Sequence, residues 1–350
     1  MKTKFNSFKI NNIAKGCKYC LRGEKLVLFM GGKCSRNCWY CSLSKSRKKC
    51  EIFFANERPI KKIRDLIAEV KESNAKGAGI TGGDALIHYE KVFKFSKKLK
   101  KKFGKNFHIH IYLPLNLVTI KKIKKLSKYI DEFRLHPSFM ISRDKKTLNE
   151  ELDKIRNVSW ILKKERLGIE LPLIPGKEKE IISFVSKIKD YISFLNLNEF
   201  EISETNFDRV VKNYGVNNDS YTIPNSKIGG LEILKFFKKD KLKIHLCTAI
   251  TKDKHQYVNR LLKHNILPFG NKTGDGNVIY FATYPKNLRK VARQIKKITL
   301  NYFVDKNKKR VIIKMVDVKK VYDKMGLKIA RVMEPPTYNS DYLEFSYIDE

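Results

Sequence analysis

Negative charge is scarce in this chain: 36 Asp and Glu stand against 74 Lys and Arg, a formal net charge of +38 over 350 residues. Such an imbalance excludes an acid-coated surface and draws polyanions, so RNA or DNA is an expected partner. A second reading stays open beside it. The excess is mostly lysine, accompanied by many Asn, Ile and Phe, as an AT-rich or thermophilic coding bias would give. Long apolar runs are also missing. None approaches the roughly 18 residues of a membrane span, and no apolar segment follows the basic N-terminus MKTKFNSFKI, which excludes a signal peptide. The cysteines are few and odd in number, seven, and most lie near one another in sequence. That pattern points to a reducing cytoplasm and a metal site rather than a disulfide scaffold. Internal repeats and low-complexity tracts are absent.

What is present is a globular composition, 42% hydrophobic and 11% aromatic, in a length that suits two domains. Residues 1–24 read as a polar N-terminal segment. From 25 to 266, short apolar runs alternate with helical periodicity, the pattern of repeated βα units. The expected strands are 25–30, 78–81, 107–113, 132–136, 167–174, 199–203 and 243–247, with helices near 60–74, 90–102, 117–130, 145–164, 178–194, 229–239 and 252–265. Residues 204–228 read as a long polar loop. After a turn-rich linker, residues 267–350 give the order β-α-β-β-α-β with one further strand, a small ferredoxin-like α+β domain.

The chemistry concentrates in residues 31–41, GGKCSRNCWYC, directly after the first strand. Cys34, Cys38 and Cys41 are spaced three and then two residues apart, with no fourth cysteine in the loop. Three thiolates at this spacing can hold three irons of a [4Fe-4S] cluster and leave the fourth open to a small molecule. A zinc knuckle is the competing reading, but zinc usually takes paired CxxC arms and four closed ligands.

In this spacing, and in the aromatic Tyr40 before the last cysteine, the chain resembles the radical SAM superfamily. With the upstream CxxC and the C-terminal domain, it resembles archaeal members related to pyruvate formate-lyase activating enzymes. The resemblance implies a partial (β/α)6 TIM-like barrel, a [4Fe-4S] cluster and S-adenosylmethionine (SAM), cleaved reductively to a 5′-deoxyadenosyl radical. It further implies that Gly82, Gly83 and Asp84, after the second strand, meet the amino group of the cofactor's methionine. Glycine there lets backbone approach the ligand closely. The segment LPLIPGKE resembles one that lies along the adenine, which brings in Ile174. Asn116, His136, Glu201 and Ser203, at other strand ends, are candidates for cofactor or substrate contacts.

A second group of donors is dispersed. Cys17 and Cys20 form a CxxC pair, and His245 and Cys247 lie two apart in the last expected strand, so they share a face. Together they make a Cys3His set suited to an auxiliary zinc or a second Fe-S cluster; a buried hydrophobic cysteine and a satisfied core histidine is the plainer reading. Cys50 has no obvious partner and reads as a plain thiol. Lys45, Arg47, Lys48 and Lys49, near Phe53 and Phe54, could track a phosphate backbone or simply be solvated. Asp253, Gln256, Tyr257 and Arg260 share one helical face.

The expected function is therefore that of a cytoplasmic radical SAM enzyme acting on a macromolecule, tRNA or another RNA, with a ferredoxin- or flavodoxin-type reductant. A glycyl-radical activating enzyme or peptide modifier is the alternative. A third reading, from another class, is a non-catalytic, metal-stabilised RNA-binding protein.

Overall fold

The computed structural model of the protein describes residues 1–142, 144–219 and 221–348. It divides into two compact units, one of Met1–Lys71 with Ala75–Gln256 and one of Glu72–Asn74 with the residues from Tyr257 on.

The strands of the first unit are β1 (Phe8–Ile10), β2 (Lys25–Phe29), β3 (Phe54–Ala55), β4 (Arg58–Pro59), β5 (Gly77–Thr81), β6 (His108–Pro114), β7 (Glu132–His136), β8 (Leu167–Leu173), β9 (Phe194–Glu199) and β10 (Lys243–Cys247). They form one sheet in the order β1-β10-β9-β8-β7-β6-β5-β2-β3-β4. From β2 through β5 to β10 every neighbouring pair is parallel. Six helical crossovers join these parallel strands, which gives the partial (β/α)6 barrel.

One set of alternate strand positions drives this assembly. Leu26, Leu28, Ile80, Ile109, Ile111, Leu135, Ile169, Leu171, Leu195, Leu197, Ile244 and Leu246 are all 0% exposed and join the buried faces of the crossover helices in one core. Each such side chain contributes about 1.5–3 kcal/mol by leaving water. Between them lie polar residues, and these face the barrel interior, because side chains alternate along a strand.

Three sequence expectations need correction here. The sixth parallel strand is Phe194–Glu199, not 199–203, so Glu201 and Ser203 sit in the loop beyond it. The polar Asn196 and Asn198 hid the strand, since they break a run that would otherwise be apolar. The stretch 204–228 is not plain loop; it holds a helix, Phe207–Tyr214, and the start of another, Ser226–Phe236. Residues 1–24 are not an appended segment. β1 pairs antiparallel with β10, and a helix, Lys15–Leu21, buries Gly16 and Cys17.

The second unit contains β11 (Asn271–Lys272), β12 (Val278–Thr283), β13 (Tyr302–Asp305), β14 (Arg310–Ile313), β15 (Ala330–Glu334) and β16 (Glu344–Tyr347). Their antiparallel order is β13-β14-β12-β15-β16, with β11 paired to β12. Helices Leu288–Lys296 and Val318–Met325 bury Ile295 and Val321 against Val311 and Ile313 of the sheet. This is the ferredoxin-like arrangement with an added edge strand, β16. Among the described residues, no helix is long and apolar enough to cross a membrane.

Candidate active site

The loop that carries Cys34, Cys38 and Cys41 leaves the carboxyl end of β2, where parallel α/β sheets place their sites. It is laid against the end of β5 by backbone bonds. Gly83 N–H donates to Gly31 O at 2.9 Å and Asp84 N–H to Lys33 O at 2.8 Å. A Cβ on Gly83 would stand 2.1 Å from Lys33 O, and Gly82 has φ of +138°, so both positions require glycine.

Side chains complete the clamp. Arg36, inside the loop, donates to Asn116 Oδ1 at 2.6 Å, to His136 O at 2.5 Å, and to Glu151 in a buried ion pair. Glu151 also accepts from Ser138 N–H at 2.7 Å. On the other flank, Ser203 Oγ donates to Cys41 O at 2.9 Å, and Thr205 Oγ1 lies 2.8 Å from Cys41 O and 2.7 Å from Leu43 O. The loop is thereby fixed through its backbone carbonyls and the Arg36 side chain.

The three cysteines, none of them fully buried, line a cavity of about 420 Å³ together with Thr81, Gly82 and Gly83. That volume suits a small molecule. The next cysteine, Cys50, directs its thiol to Ile52 O at 3.7 Å, so it is not a fourth ligand. Three thiols opening on one cavity, beside a glycine-lined wall, fit a three-ligand [4Fe-4S] cluster and a cofactor laid next to it.

Tyr40 and His136 border the same cavity. His136 Nδ1 faces Glu170 O at 2.9 Å, which makes it the protonated nitrogen, and Nε2 then accepts from the Tyr40 hydroxyl at 2.7 Å. Burial, with Arg36 nearby, pushes the His136 pKa down to about 4 and keeps the ring neutral.

The cavity floor is the polar barrel interior. Glu170 accepts from Arg134 at 3.2 Å, Asn196 at 2.8 Å and Asn198 at 2.7 Å. Arg134 also bonds Tyr112 Oη at 3.0 Å and Glu132 at 2.6 Å. At the other wall Lys252 is paired with Glu201. Burial opposes the charge of Lys252, but Glu201 and the Cys247 thiol outweigh it and hold its pKa above the ordinary value.

Several sequence-derived candidates have other roles here. Asp84 is buried with both oxygens engaged, by Ser35 Oγ at 2.5 Å and Leu86 N–H at 2.9 Å, so it braces the loop and caps a short helix. Asn116 and Ser203 likewise bond the cysteine loop. Ile174 is 1% exposed and lies in the hydrophobic core. Arg47 stacks on Phe54 at 4.0 Å, which covers that ring. Asp253 accepts from Tyr221 Oη at 2.6 Å, and Gln256 donates to Cys247 Sγ at 3.1 Å.

Cys17, Cys20, His245 and Cys247 fall on the barrel interior beneath the cavity. Among the described residues, no three of them have donor atoms within 4.8 Å of one another. Cys17 Sγ lies 3.3 Å from Arg134 Nη2 and 3.5 Å from Asn196 Oδ1.

Sequence reasoning missed Arg36, Glu151, Arg134, Glu170, Asn198 and Lys252. A signal for the interior set was present. Strands of an all-parallel sheet buried on both faces usually read as continuous apolar runs. Here HIHIY, EFRLH, NLN and KIHLC alternate, which marks a polar interior.

The radical SAM superfamily matches residues 28–164. A protein of Methanocaldococcus jannaschii, provisionally named a glycyl-radical enzyme activating enzyme, is 36% identical over 281 residues, 78% of this chain and 74% of its own. Two solved structures of the radical SAM methyltransferase TsrM from Kitasatospora setae are also similar. One holds tryptophan and a SAM analogue (TM-score 0.37, 9% identity, 58% of this chain and 42% of that one), the other cobalamin and a [4Fe-4S] cluster (0.36, 8%, 58% and 41%). The chain thus spans less than half of that enzyme, and the likeness is too slight to carry an argument. The relative at 36% identity, covering about three quarters of both chains, and the family match over the loop of Cys34, Cys38 and Cys41 lead to one conclusion: this chain is a radical SAM enzyme.

Proposed function

We propose that this radical SAM enzyme acts on a protein, as an activating enzyme of the glycyl-radical type. The observation that carries the reading is the 36% identical relative so named, matched over most of both chains. The cavity floor supports it. Arg134 and Asn198 offer N–H donors and Glu170 and Glu201 offer acceptors, which suits a peptide backbone that brings both a carbonyl and an amide. The RNA reading rests on the charge and on the ferredoxin-like C-terminal domain, and that charge is equally the lysine bias of the composition.

In this mechanism Cys34, Cys38 and Cys41 would hold the cluster, and Thr81, Gly82 and Gly83, which line the same cavity, would contact SAM. The chemistry supplied by the bound [4Fe-4S] cluster is reductive cleavage of SAM to a 5′-deoxyadenosyl radical. Arg36, Asn116, Glu151, Ser203 and Thr205 hold the loop, and so the three thiols that would bind the cluster, in one arrangement. Neutral His136 accepts from the Tyr40 hydroxyl, which holds both rings at the edge of the cavity. The substrate glycine would meet the polar floor of Arg134, Glu170 and Asn198. A ferredoxin- or flavodoxin-type protein is the expected reductant.

The test is 5′-deoxyadenosine release by anaerobically reconstituted enzyme with dithionite and SAM, beside a Cys34→Ala, Cys38→Ala, Cys41→Ala variant. Glycine-containing peptides, glycyl-radical enzymes and bulk tRNA are each added. The expected result is release by wild type only, stimulated by a protein or peptide, with a carbon-radical signal in electron paramagnetic resonance. Stimulation by tRNA alone would reverse the substrate assignment.

A further inference from the structure

The helix Lys15–Leu21 is docked tightly under the barrel. Gly16 N–H donates to Glu132 Oε2 at 2.9 Å, and a Cβ on Gly16 would stand 2.6 Å from both Arg134 Nη2 and His110 Nδ1. Cys17 and Cys20 lie three apart on this helix, one turn, and so point the same way. Cys17 reaches Asn196 on β9. The residue beside Asn196 in register on β10 is His245, and Cys247 follows two residues on, facing the same interior.

His245 is 1% exposed, and neither of its ring nitrogens has a hydrogen-bond partner. A buried imidazole usually bonds through at least one nitrogen, and leaving both unpaired is destabilising. The helix that bears Cys17 and Cys20 and the strand that bears His245 and Cys247 meet at Asn196. Cys17 and Cys247 are 6% and 7% exposed.

We propose that Cys17, Cys20, His245 and Cys247 form a second metal site, which takes one four-coordinate thiophilic cation such as zinc. Three thiolates and an imidazole are a closed structural donor set. The surroundings suit its charge. Three thiolates on a divalent cation leave a net charge of −1, and Arg134 Nη2 already lies 3.3 Å from Cys17 Sγ, while Gln256 Nε2 lies 3.1 Å from Cys247 Sγ. Such outer N–H donors to ligand sulfur orient and stabilise a site. The proton that Cys17 now gives to Asn196 is released when the cation binds. The donors tighten around the ion on binding, and the helix Lys15–Leu21 is then tied to β10, at the end of the parallel run. The site binds no substrate and is independent of the function proposed above.

The test uses the full chain with Cys34, Cys38 and Cys41 all changed to Ala, so that no primary cluster contributes metal. Loaded anaerobically with Co²⁺, it should bind about one ion per chain with a thiolate-to-cobalt charge-transfer band and tetrahedral visible bands, all discharged by Zn²⁺. Adding Cys20→Ser or Cys247→Ser should lower the charge-transfer band by roughly one third each, and His245→Gln should raise the Co²⁺ dissociation constant while sparing that band. No bound cobalt, octahedral bands, or a band indifferent to both serine variants would overturn the site. So would iron with inorganic sulfide in place of a single ion. The cobalt spectrum is read first with all four ligands intact, so a site variant that misfolds does not decide the matter.

Discussion

The molecule keeps its cysteines in two settings that differ in nearly every physical respect. Cys34, Cys38 and Cys41 ride on an irregular loop and open on a cavity of about 420 Å³, held there by carbonyl contacts and by Arg36. Cys17, Cys20 and Cys247 are borne on a helix and a strand and lie inside the barrel, beside Arg134 and Gln256. An open thiol set with three ligands leaves room for a cofactor, whereas a closed set of four serves structure. The contrast teaches that chemistry here is assigned by what surrounds a cysteine, since the CxxC spacing of Cys38/Cys41 and of Cys17/Cys20 is the same.

The largest effect should come from Arg36→Met, which attacks the open setting alone. It leaves Glu151 buried without its partner, a loss of about 3–5 kcal/mol, expected in urea unfolding together with much lower iron content after reconstitution. Cobalt binding at the buried set should persist. Equal damage to both would blur the distinction.

Acid should act next, and chiefly on the interior. Burial lowers the pKa of His136 and His245 from 6.5 to about 4 each. The unfolded chain therefore takes up these protons near pH 6.5 and the folded chain only near pH 4. Stability is full above pH 6.5 and is lost as pH falls through this window, by about 1.4 kcal/mol per pH unit for each histidine. Chemical unfolding at pH 7, 5.5 and 4.5 measures it. His245→Gln should flatten the profile, and a profile left unchanged would show that the ring is solvated.

The smallest expected change is Tyr40→Phe, which removes one hydrogen bond to His136, about 1 kcal/mol. Iron content should hold while 5′-deoxyadenosine formation falls modestly. A full loss of the cluster would mean that the hydroxyl, and not the peptide clamp, fixes the loop.

Sequence and structure agree most where the signal is local and repetitive. The parallel strands other than the sixth, and the β-α-β-β-α-β order of the second unit, were legible because apolar spacing alone selects strand or helix. The sixth strand was misplaced because Asn196 and Asn198 face inward, and a local reading takes polar residues for loop. Local spacing marks Asp84 but not its partners Ser35 and Leu86, which the turn brings to its two oxygens.

By itself, then, the sequence determined the enzyme class, since Cys34, Cys38 and Cys41 lie within eight residues and their spacing suffices for three-point cluster ligation. It also determined the barrel, through its βα periodicity. Only the tertiary structure decided which distant groups serve that loop: Glu151 for Arg36, Glu170 for Arg134, Glu201 for Lys252, and the meeting of Cys17 with the strand of His245 and Cys247. These partners lie tens to hundreds of residues apart. Pairing across such distances is set by strand order and register, which the folded sheet alone supplies.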